Sequence, residues 1–359
     1  MRSKKYISFE PWPGGFCNIR MSYELAAAIA FITGRTLILP PTIFCLFLSK
    51  RHDKRTWFDI FRAIDYEKFA KNFDCVFTHE VDEYRQIESE NQYFEGINDI
   101  AKIYTFGAQK TGDSFPVHLG RDDVLTCGPE RCNRSVEFIA GRKVIDLDCE
   151  SKFIHFPGNL FGRFYYHVYA PGVLKRNLLK AKILDAFSYR DQYLQIADNI
   201  TKQLSCFNAV HIRRNDFLLQ RREVTENQLN TLEESLVGRI DDPKILYIAT
   251  DEKDTSLFEC LSKSYQLYFW SNFGTDFCEL EALLVEQIVC ARAEKFLGSF
   301  LSTYTDYVHV LRANVGTKDY HREGINYNRD SLHYQYFPWQ MEQYGWQILW
   351  DYYWKPEQP

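Results

Sequence analysis

Two adjacent arginines follow a short apolar stretch of the chain that begins at Phe207. Residues 211–216 read His-Ile-Arg-Arg-Asn-Asp, so Arg213 and Arg214 come directly after the apolar residues. A guanidinium group binds an oxyanion through two parallel N–H bonds, which suits a phosphate or a diphosphate. Asp216 could hold one arginine in place, and a surface cluster of ion pairs is the alternative interpretation. The pattern predicts an anion-binding site.

A carboxylate follows the next apolar stretch of this half of the chain. Residues 250–252 read Thr-Asp-Glu, and the carboxylate of Asp251 can accept two hydrogen bonds, as a guanine edge or a ribose diol would require. The alternative is a helix N-cap, a role that Asp251 or Asp254 would fill. The residue types alone do not decide between nucleotide recognition and capping.

Hydroxyl groups follow the last apolar stretch, where a helix is expected to begin. Ser302, Thr303 and Tyr304 occupy this position. Hydroxyls and backbone N–H groups at a helix start are typical of an anion site, and Tyr304 could add a ring on which a base stacks. A helix-capping sequence is again the alternative. Three such segments on successive strands indicate a site more strongly than any one of them.

A glycine-rich segment opens the first expected helix. Residues 14–20 read Gly-Gly-Phe-Cys-Asn-Ile-Arg, and glycines let a ligand or another backbone approach closely. The chain contains neither GxGxxG nor GxxxxGK[ST], so the dinucleotide fingerprint and the P-loop are absent. This weakens a Rossmann dehydrogenase as an interpretation. GxSxG and HExxH are absent too, which removes the commonest hydrolase and zinc-protease interpretations.

The elements that position these residues alternate between strands and helices. Residues 6–39 predict a strand, the glycine segment, a helix capped by Gly34 and a second, parallel strand. In the second half, strands are expected at 207–212, 245–249, 265–269 and 295–297, and helices at 226–240, 254–261, 278–291 and 304–312. This alternation predicts an α/β protein with parallel sheets, in which ligands bind at the carboxyl ends of the strands.

The stretch between the two halves gives weaker patterns. An amphipathic helix is expected at 57–64, and strands are expected at 144–147 and 153–156, the second ended by Pro157-Gly158. A domain boundary is expected between about residues 170 and 189, because a new alternating pattern begins after it.

The composition is that of a globular protein that needs no structural metal. The 359 residues suggest two domains, with 45% hydrophobic and 25% charged residues. A net charge of −5 argues against a nucleic-acid partner bound through bulk charge. No apolar run approaches 18 residues, so no transmembrane helix is expected, and the start does not resemble a signal peptide. Two alternatives for the location stay open. The protein is cytoplasmic, or the chain is a lumenal or viral domain excised from a longer protein.

Ten cysteines are dispersed along the chain. None forms a CxxC pair and no histidine lies at zinc-finger spacing from them, so no metal site is expected. Cys206, Cys260 and Cys290 lie in apolar periodic stretches and are expected in the core. Cys127 and Cys132 could close a small disulfide loop in an oxidising compartment.

These segments together resemble the GDP-fucose-dependent fucosyltransferases of the protein O-fucosyltransferase type. The likeness lies in residues 14–20 with Arg-Thr-Leu-Ile-Leu-Pro at 35–40, in 211–217, in 248–252 and in 297–305, and the order and spacing agree from residue 6 to about residue 312. The resemblance implies two facing Rossmann-like domains of the GT-B type. We expect an acceptor-side domain at 1–180, a nucleotide-sugar-binding domain at 181–335 and an aromatic tail at 336–359 that crosses back to the first domain.

The resemblance also implies roles for individual residues. Arg213 would contact the GDP diphosphate and Asp251 the guanine, while Ser302 and Thr303 would bind the phosphates. Tyr304 would lie against the base, and Asn18 would face the donor from the other domain. The expected catalytic residues are thus Arg213 and Asn18, and the remaining expected donor-binding residues are Gly14, Gly15, Arg20, His211, Arg214, Asp216, Asp251, Ser302, Thr303 and Tyr304.

The implied activity is an inverting, metal-independent transfer of fucose from GDP-fucose, as donor substrate and without a cofactor, to a protein hydroxyl or a glycan. The expected partners are thus a GDP-sugar and a glycan or glycoprotein acceptor. Some family members carry a glutamate in the glycine loop as general base, but this chain has Gly14-Gly15 there. Neither Glu10 nor Glu24 matches that position, so the proton acceptor stays open. The alternative function is a catalytically inactive nucleotide-sugar or carbohydrate-binding protein.

The C-terminal tail is rich in aromatic residues. From Tyr334 to Trp354, ten of 21 residues are aromatic. Because aromatic side chains bury large areas, we expect this tail to anchor on the N-terminal domain. The alternative is a sugar-stacking platform that includes Trp339.

Overall fold

The structure is a computed structural model that divides into two compact units between Ser188 and Tyr189. Each unit contains its own parallel sheet. The structure describes residues 4–11, 14–40, 42–44, 57–82, 100–102, 151–160, 173–214, 233, 236, 240, 242–274, 278–299 and 302–315. The expected strand at 144–147, most of the expected helix at 226–240, the Cys127–Cys132 pair and the aromatic tail lie outside these residues.

The first unit is built on a five-stranded parallel sheet. Its strands and the short antiparallel pair beside them are β1 (Tyr6–Pro11), β2 (Thr36–Leu39), β3 (Ile43–Phe44), β4 (Trp57–Phe58), β5 (Cys75–Phe77), β6 (Ile100–Lys102) and β7 (Phe153–Leu160). The order across the sheet is β5-β2-β1-β7-β6, and β3 pairs with β4. The α/β class and the parallel sheet predicted from the sequence are confirmed.

Helix α1 (Phe16–Thr33) connects β1 to β2, which pair in parallel. Its length is set at the C-terminal end by Gly34, whose φ of 65° and ψ of 29° place it in the left-handed region. The N–H of Gly34 donates to the carbonyl of Ala30 and so satisfies one of the last helical acceptors. The βαβ unit and its glycine cap are therefore as the sequence predicted.

The expected helix at 57–64 was wrong. Residues 57–58 form β4, and a 3₁₀ turn follows at Ile60–Arg62 because the carboxylate of Asp59 accepts the N–H of Phe61 at 2.9 Å. The other helical elements of this unit are α2 (Tyr66–Asn72), a 3₁₀ turn (Thr78–Glu80) and α3 (Val173–Ala186). The strand expected to end at Pro157-Gly158 continues to residue 160.

The second unit contains a four-stranded sheet between helices. In chain order its elements are α4 (Asp191–Leu204), β8 (Asn208–Ile212), β9 (Ile245–Thr250), a 3₁₀ helix (Thr255–Lys263), β10 (Gln266–Tyr268), a 3₁₀ turn (Trp270–Phe273), α5 (Glu279–Arg292), β11 (Phe296–Gly298) and α6 (Thr303–Val315). The helix expected at 254–261 is thus a 3₁₀ helix, while the four expected strands are confirmed.

The strand order of the second sheet identifies where a ligand should bind. All four strands are parallel in the order β10-β9-β8-β11. From β8 the chain proceeds to β9 and β10 on one side and then crosses to β11 on the other side. The order therefore reverses between β8 and β11, and open α/β sheets bind ligands at the carboxyl ends of strands at such a reversal.

The core of the second unit lies against this sheet. Buried apolar side chains of β8, β9 and β11 pack with Leu236, Ile240, Phe258, Leu261 and Tyr265. Of the three cysteines expected in the core, Cys290 is buried, Cys260 is partly buried and Cys206 is exposed. The expectation for Cys206 was wrong because α4 ends at Leu204, which leaves this residue in the connection to β8. Within the described residues, no helix is long and apolar enough to cross a membrane.

Candidate donor site

Ser299 joins the carboxyl ends of β8 and β11. Its N–H donates to the carbonyl of His211 at 2.9 Å, and its hydroxyl donates to the same carbonyl at 3.0 Å. The hydroxyl oxygen also accepts the backbone N–H of Arg213 at 2.8 Å. Because Ser299 is buried, these bonds fix the backbone from which the Arg213 side chain leaves the sheet. The sequence did not single out this serine for any role.

The second arginine is tied to the end of β9. The backbone N–H of Arg214 donates to Asp251 Oδ1 at 2.7 Å, and its Nε donates to Glu252 Oε2 at 3.0 Å. Arg214 is buried, and its Nη1 has no hydrogen-bond partner in the described part of the chain. The sequence suggested Asp216 as the carboxylate that holds an arginine, but that residue lies outside the described part. Glu252 supplies such a carboxylate for Arg214.

Asp251 does not cap a helix. The N-cap of the following 3₁₀ helix is Asp254, whose carboxylate accepts the N–H of Ser256 at 3.1 Å. The end of β9 is instead fixed by Thr250, whose hydroxyl donates to the carbonyl of Ile212 at 2.7 Å. Of the two alternatives for Asp251, capping is therefore wrong, and its Oδ2 is a buried atom at the carboxyl edge of the sheet.

The hydroxyl of Ser302 lies at the start of α6. It is buried and has no hydrogen-bond partner within the described ranges. Leaving a buried hydroxyl unsatisfied costs roughly 1–3 kcal/mol, so a hydrogen bond from a ligand to this group would be favourable. Thr303 is half-buried beside it. These two residues stand at the positive end of a 13-residue helix, where an anion is favoured.

His211 supports this helix start from within the protein. Its Nδ1 lies 2.8 Å from the Thr305 hydroxyl, and its ring lies 4.2 Å from the ring of Tyr304, centroid to centroid. Burial and then the charge of Arg213 lower the pKa of His211 from 6.5 to about 3. The imidazole is thus uncharged at neutral pH, and it covers part of the Tyr304 ring that the sequence assigned to base stacking.

A close approach explains the glycine at the end of β11. A Cβ atom on Gly298 would lie 2.2 Å from Thr305 Cγ2 and 2.5 Å from its Oγ1. Both distances are far below van der Waals contact, so any side chain here would displace the threonine from His211.

Gln287 of α5 fixes the same helix start from the other side. Its Nε2 donates to the carbonyl of Tyr304 at 3.1 Å, and its Oε1 accepts the hydroxyl proton of Tyr189. Gln287 is fully buried. Gln287 lies in the helix expected at 278–291, on the face that also carries Leu283 and Leu284. An amide side chain on an otherwise apolar helix face is the feature of the sequence that could have predicted a polar contact in the core.

The glycine segment of the first unit begins α1. Gly15 has φ −76° and ψ 170°, an extended backbone that any residue adopts, and its carbonyl accepts the N–H of Asn18 at 3.0 Å. Asn18 Oδ1 is buried and lacks a hydrogen-bond partner among the residues described. That atom, like the Ser302 hydroxyl, could accept a bond from a ligand.

Arg20 forms a buried ion pair within α1. Its Nε donates to Glu24 Oε1 at 2.9 Å, and both side chains are almost fully buried. Its guanidinium carbon lies 5.9 Å from the centre of the Phe187 ring. The contact with Phe187 joins α1 to the residue that follows α3 within the first unit.

The predicted residues thus fall into two groups. His211, Arg213, Arg214, Asp251, Ser302, Thr303 and Tyr304 follow the carboxyl ends of β8, β9 and β11 in the second unit, and Gly14, Gly15, Asn18 and Arg20 lie at the start of α1 in the first. Asp216 is outside the described residues. No group of three or more metal-ligating side chains lies close together in the part of the chain that the structure describes.

Comparisons with known proteins give a family match and structural relatives. The family model described as GDP-fucose protein O-fucosyltransferase matches residues 6–314. The crystal structure of POFUT1 in complex with GDP-fucose is similar with a TM-score of 0.50 and 15% sequence identity, covering 87% of this chain and 95% of that one. Fucosyltransferase NodZ from Bradyrhizobium has a TM-score of 0.46 and 13% identity, covering 86% of this chain and 94% of that one. No curated protein sequence matches the chain.

The likeness to POFUT1 shows a shared GT-B fold, as the sequence predicted. The family match extends over most of the length, and it includes every segment on which the resemblance rested. The chain belongs to the GDP-fucose protein O-fucosyltransferase family.

Proposed function

We propose that this protein is an inverting, metal-independent glycosyltransferase that moves fucose from GDP-fucose to a hydroxyl of a protein or a glycan. Membership of the family makes it a fucosyltransferase that uses GDP-fucose. The stereochemical course, the metal independence and the acceptor class are the proposed part. Two features at the reversal point of the second sheet carry the proposal. Arg213 follows β8 with its backbone N–H bonded to Ser299, and the buried Ser302 hydroxyl lies at the start of α6.

Charge develops on the leaving group during the reaction. As the acceptor oxygen bonds to C1 of the fucose, the bond from C1 to the β-phosphate oxygen breaks and GDP leaves with the electron pair. Arg213 and the N–H groups at the start of α6 would stabilise the growing negative charge more in the transition state than in the ground state. A single attack from the face opposite GDP inverts the anomeric centre.

Guanine recognition is assigned to Asp251. The bond from the Arg214 N–H holds one carboxylate oxygen, which orients the other at the sheet edge. A carboxylate that accepts from two N–H groups of guanine would find no equivalent donors on uracil. The proposed donor preference is therefore GDP over UDP.

Metal independence is proposed because a guanidinium group and a helix N-terminus can supply the positive charge that a divalent cation supplies in other transferases. We expect full transfer in excess EDTA. Loss of transfer that manganese restores would contradict this part of the proposal.

The experiment for the whole proposal begins with a thermal-shift screen of GDP-fucose, GDP-mannose, UDP-sugars and NAD. We expect stabilisation by GDP-fucose and GDP but not by UDP-sugars or NAD. Turnover of GDP-fucose is then followed as GDP release with water, aryl glycosides and small disulfide-bonded domains bearing serine and threonine as acceptors. Arg213→Lys keeps the positive charge but loses the two parallel N–H donors of the guanidinium group, so turnover should fall about 100-fold or more.

The matched control is Arg62→Lys, which changes an exposed arginine in the first unit and should leave turnover unchanged. Turnover by Arg213→Lys close to that of the wild type would remove its assigned role.

The second candidate function is an inactive nucleotide-sugar-binding protein, which Gly14 favours because some relatives have a glutamate there. Binding of GDP-fucose without any GDP release would identify that function instead.

A further inference from the structure

Three polar residues line up along β1 and β7 in the first unit. Ser8 and His155 are paired in register, and the Ser8 hydroxyl lies 2.9 Å from His155 Nδ1. His155 Nε2 lies 3.6 Å from Glu10 Oε1. The serine and the histidine are buried, whereas 42% of the Glu10 side chain is exposed. The line therefore runs from the interior of the sheet to a carboxylate that solvent can reach.

The sheet directs this line toward its carboxyl edge. The Phe9 ring meets Tyr23 of α1 edge-on at 4.9 Å, so Ser8 and Glu10 lie on the opposite face of β1. On that face the Tyr6 and Phe153 rings stack at 5.2 Å behind them. Along this face of β1, the aromatic stack of Tyr6 comes first, the pair of Ser8 with His155 comes next, and the Glu10 carboxylate lies near the end of the strand.

An irregularity in the strand pairing lies at this carboxylate. Phe9 pairs with Phe156, but Pro11 pairs with Leu160, so three residues of β7 oppose Glu10 alone. Bulges of this kind redirect side chains and occur often beside active sites. The glycine segment at residues 14–20 begins four residues after Glu10. Open α/β sheets bind ligands at the carboxyl ends of their strands, which is the edge where Glu10 lies.

We propose that Glu10 is the general base of the transfer reaction and that His155 is its positioning residue. This inference rests on the proposed function and supplies the proton acceptor that Gly14 cannot be. In the step, the acceptor O–H gives its proton to the Glu10 carboxylate while its oxygen bonds to C1 of the fucose. The C1–phosphate bond breaks, and the electron pair leaves with GDP.

The contacts of His155 explain how it acts. The Ser8 hydroxyl donates to Nδ1 when the imidazole carries its proton on Nε2, which then faces the carboxylate. At 3.6 Å this is an electrostatic contact and not a hydrogen bond. It orients the carboxylate before the reaction, and the bond from Ser8 fixes the orientation of the ring.

The test compares Glu10→Gln with the wild type in GDP-fucose turnover, measured as GDP release with water and with aryl glycosides. General-base catalysis contributes about 10²–10⁴-fold, so turnover should fall at least about 100-fold. GDP affinity and the unfolding temperature should stay close to wild type, because the amide is nearly isosteric. Glu67→Gln alters an exposed glutamate at the start of α2 and should leave turnover unchanged. Glu10→Asp serves if the glutamine variant fails to fold, and should also lose at least about tenfold.

His155→Gln separates positioning from general stability. We expect kcat to fall about tenfold with an unchanged KM for GDP-fucose. In the Glu10→Gln background the same change should have no further effect on kcat, because both residues act through one carboxylate.

Two outcomes would overturn the inference. Turnover by Glu10→Gln within threefold of wild type would exclude Glu10 as the base while leaving the transferase assignment intact. A wild-type protein that binds GDP-fucose but never releases GDP would remove the transferase function, and the base would fall with it.

Discussion

The Nδ1 atom of His211 and the hydroxyl oxygen of Thr305 lie 2.8 Å apart, so a hydrogen bond between side chains joins the carboxyl end of β8 to the first turn of α6. The strand carries the arginine assigned to the diphosphate, and the helix carries the hydroxyl of Ser302. The buried, uncharged pair of His211 and Thr305 therefore fixes the distance between the end of β8 and the start of α6 before any ligand binds. A site arranged in advance in this way loses little free energy to reorganisation when charge develops.

The glycine beside this pair gives the first prediction. Gly298→Ala places a methyl group 2.2 Å from Thr305 Cγ2, so the threonine must move away from His211. We expect the free energy of unfolding to fall by about 1–3 kcal/mol and GDP affinity to weaken. Urea denaturation and calorimetric titration with GDP measure the two effects.

The control for this prediction is Thr305→Ala, alone and combined with Gly298→Ala. The alanine removes the two nearest of the three Thr305 atoms that the new methyl group would meet and leaves Cβ at 2.9 Å, but it also removes the bond to His211. The double variant should be less destabilised than the sum of the two single variants. Additive effects would show that the contact between these residues is not the cause.

A second prediction concerns stability in acid. Burial lowers the pKa of His211 and of His309 from 6.5 to about 3, with further contributions from Arg213 and Arg312 respectively. Between these pH values the unfolded chain binds protons that the folded chain does not, so the free energy of unfolding rises with pH across the window. Stability should therefore be lost as pH falls from about 6.5 toward 3, by up to about 1.4 kcal/mol per pH unit for each histidine.

His309→Gln removes one of these two titrations. Its unfolding free energy, plotted against pH, should have a slope that is lower by up to about 1.4 kcal/mol per pH unit between pH 6 and pH 4. Above pH 7 the side chain of residue 309 is neutral in the folded and the unfolded chain of both proteins, so the stability curves of the wild type and the variant should run parallel. An identical slope in acid would mean that this histidine binds a proton as readily in the fold as in the unfolded chain.

Local patterns predicted much of this fold because their physical causes are local. The helix cap at Gly34 and the strand at Thr36–Leu39 follow from backbone conformation and apolar periodicity within a few residues. The helix expected at 57–64 failed for a local reason as well. The side chain of Asp59 ends the strand and starts a tight turn, a signal that the amphipathic pattern obscured.

The cross-strand partners could not be predicted in the same way. His155 and Ser8 are 147 residues apart, and only the register of β1 with β7 makes them neighbours. Likewise, the carboxylate that holds Arg214 is Glu252, which belongs to a different strand end. Sequence spacing identified the residues at strand ends, whereas the pairing of strands decided which of them touch.

Asp251 gives the third prediction. In Asp251→Asn the Oδ1 atom can still accept the Arg214 N–H, while an NH₂ donor replaces the Oδ2 acceptor. The bond from the Arg214 N–H therefore survives, and only the Oδ2 position changes from an acceptor to a donor. We expect GDP affinity to fall about 100-fold and UDP affinity to change little, as measured by calorimetric titration. Equal affinity of the wild type for GDP and UDP would contradict the assignment of guanine to this carboxylate.

The last prediction addresses Gln287, whose amide holds the carbonyl of Tyr304 from within the core. Gln287→Met keeps the size and shape of the side chain but removes both hydrogen bonds. The Tyr304 carbonyl then loses its side-chain donor and the buried Tyr189 hydroxyl loses this acceptor, which should lower the free energy of unfolding by about 1–3 kcal/mol. Because that carbonyl lies in the turn that presents Ser302 and Thr303, GDP should also bind several-fold more weakly.

Tyr189→Phe is the matched variant, since it removes only the hydroxyl that donates to Gln287 Oε1 and leaves the bond to Tyr304 in place. We expect it to lower stability but to leave GDP affinity within about twofold of wild type. The two variants therefore distinguish the bond from Gln287 to Tyr304, which we expect to position the turn at Ser302 and Thr303, from the bond to Tyr189, which we expect to affect stability alone. If Gln287→Met binds GDP as tightly as the wild type does, the turn keeps its geometry without the amide, and Gln287 has a structural role only.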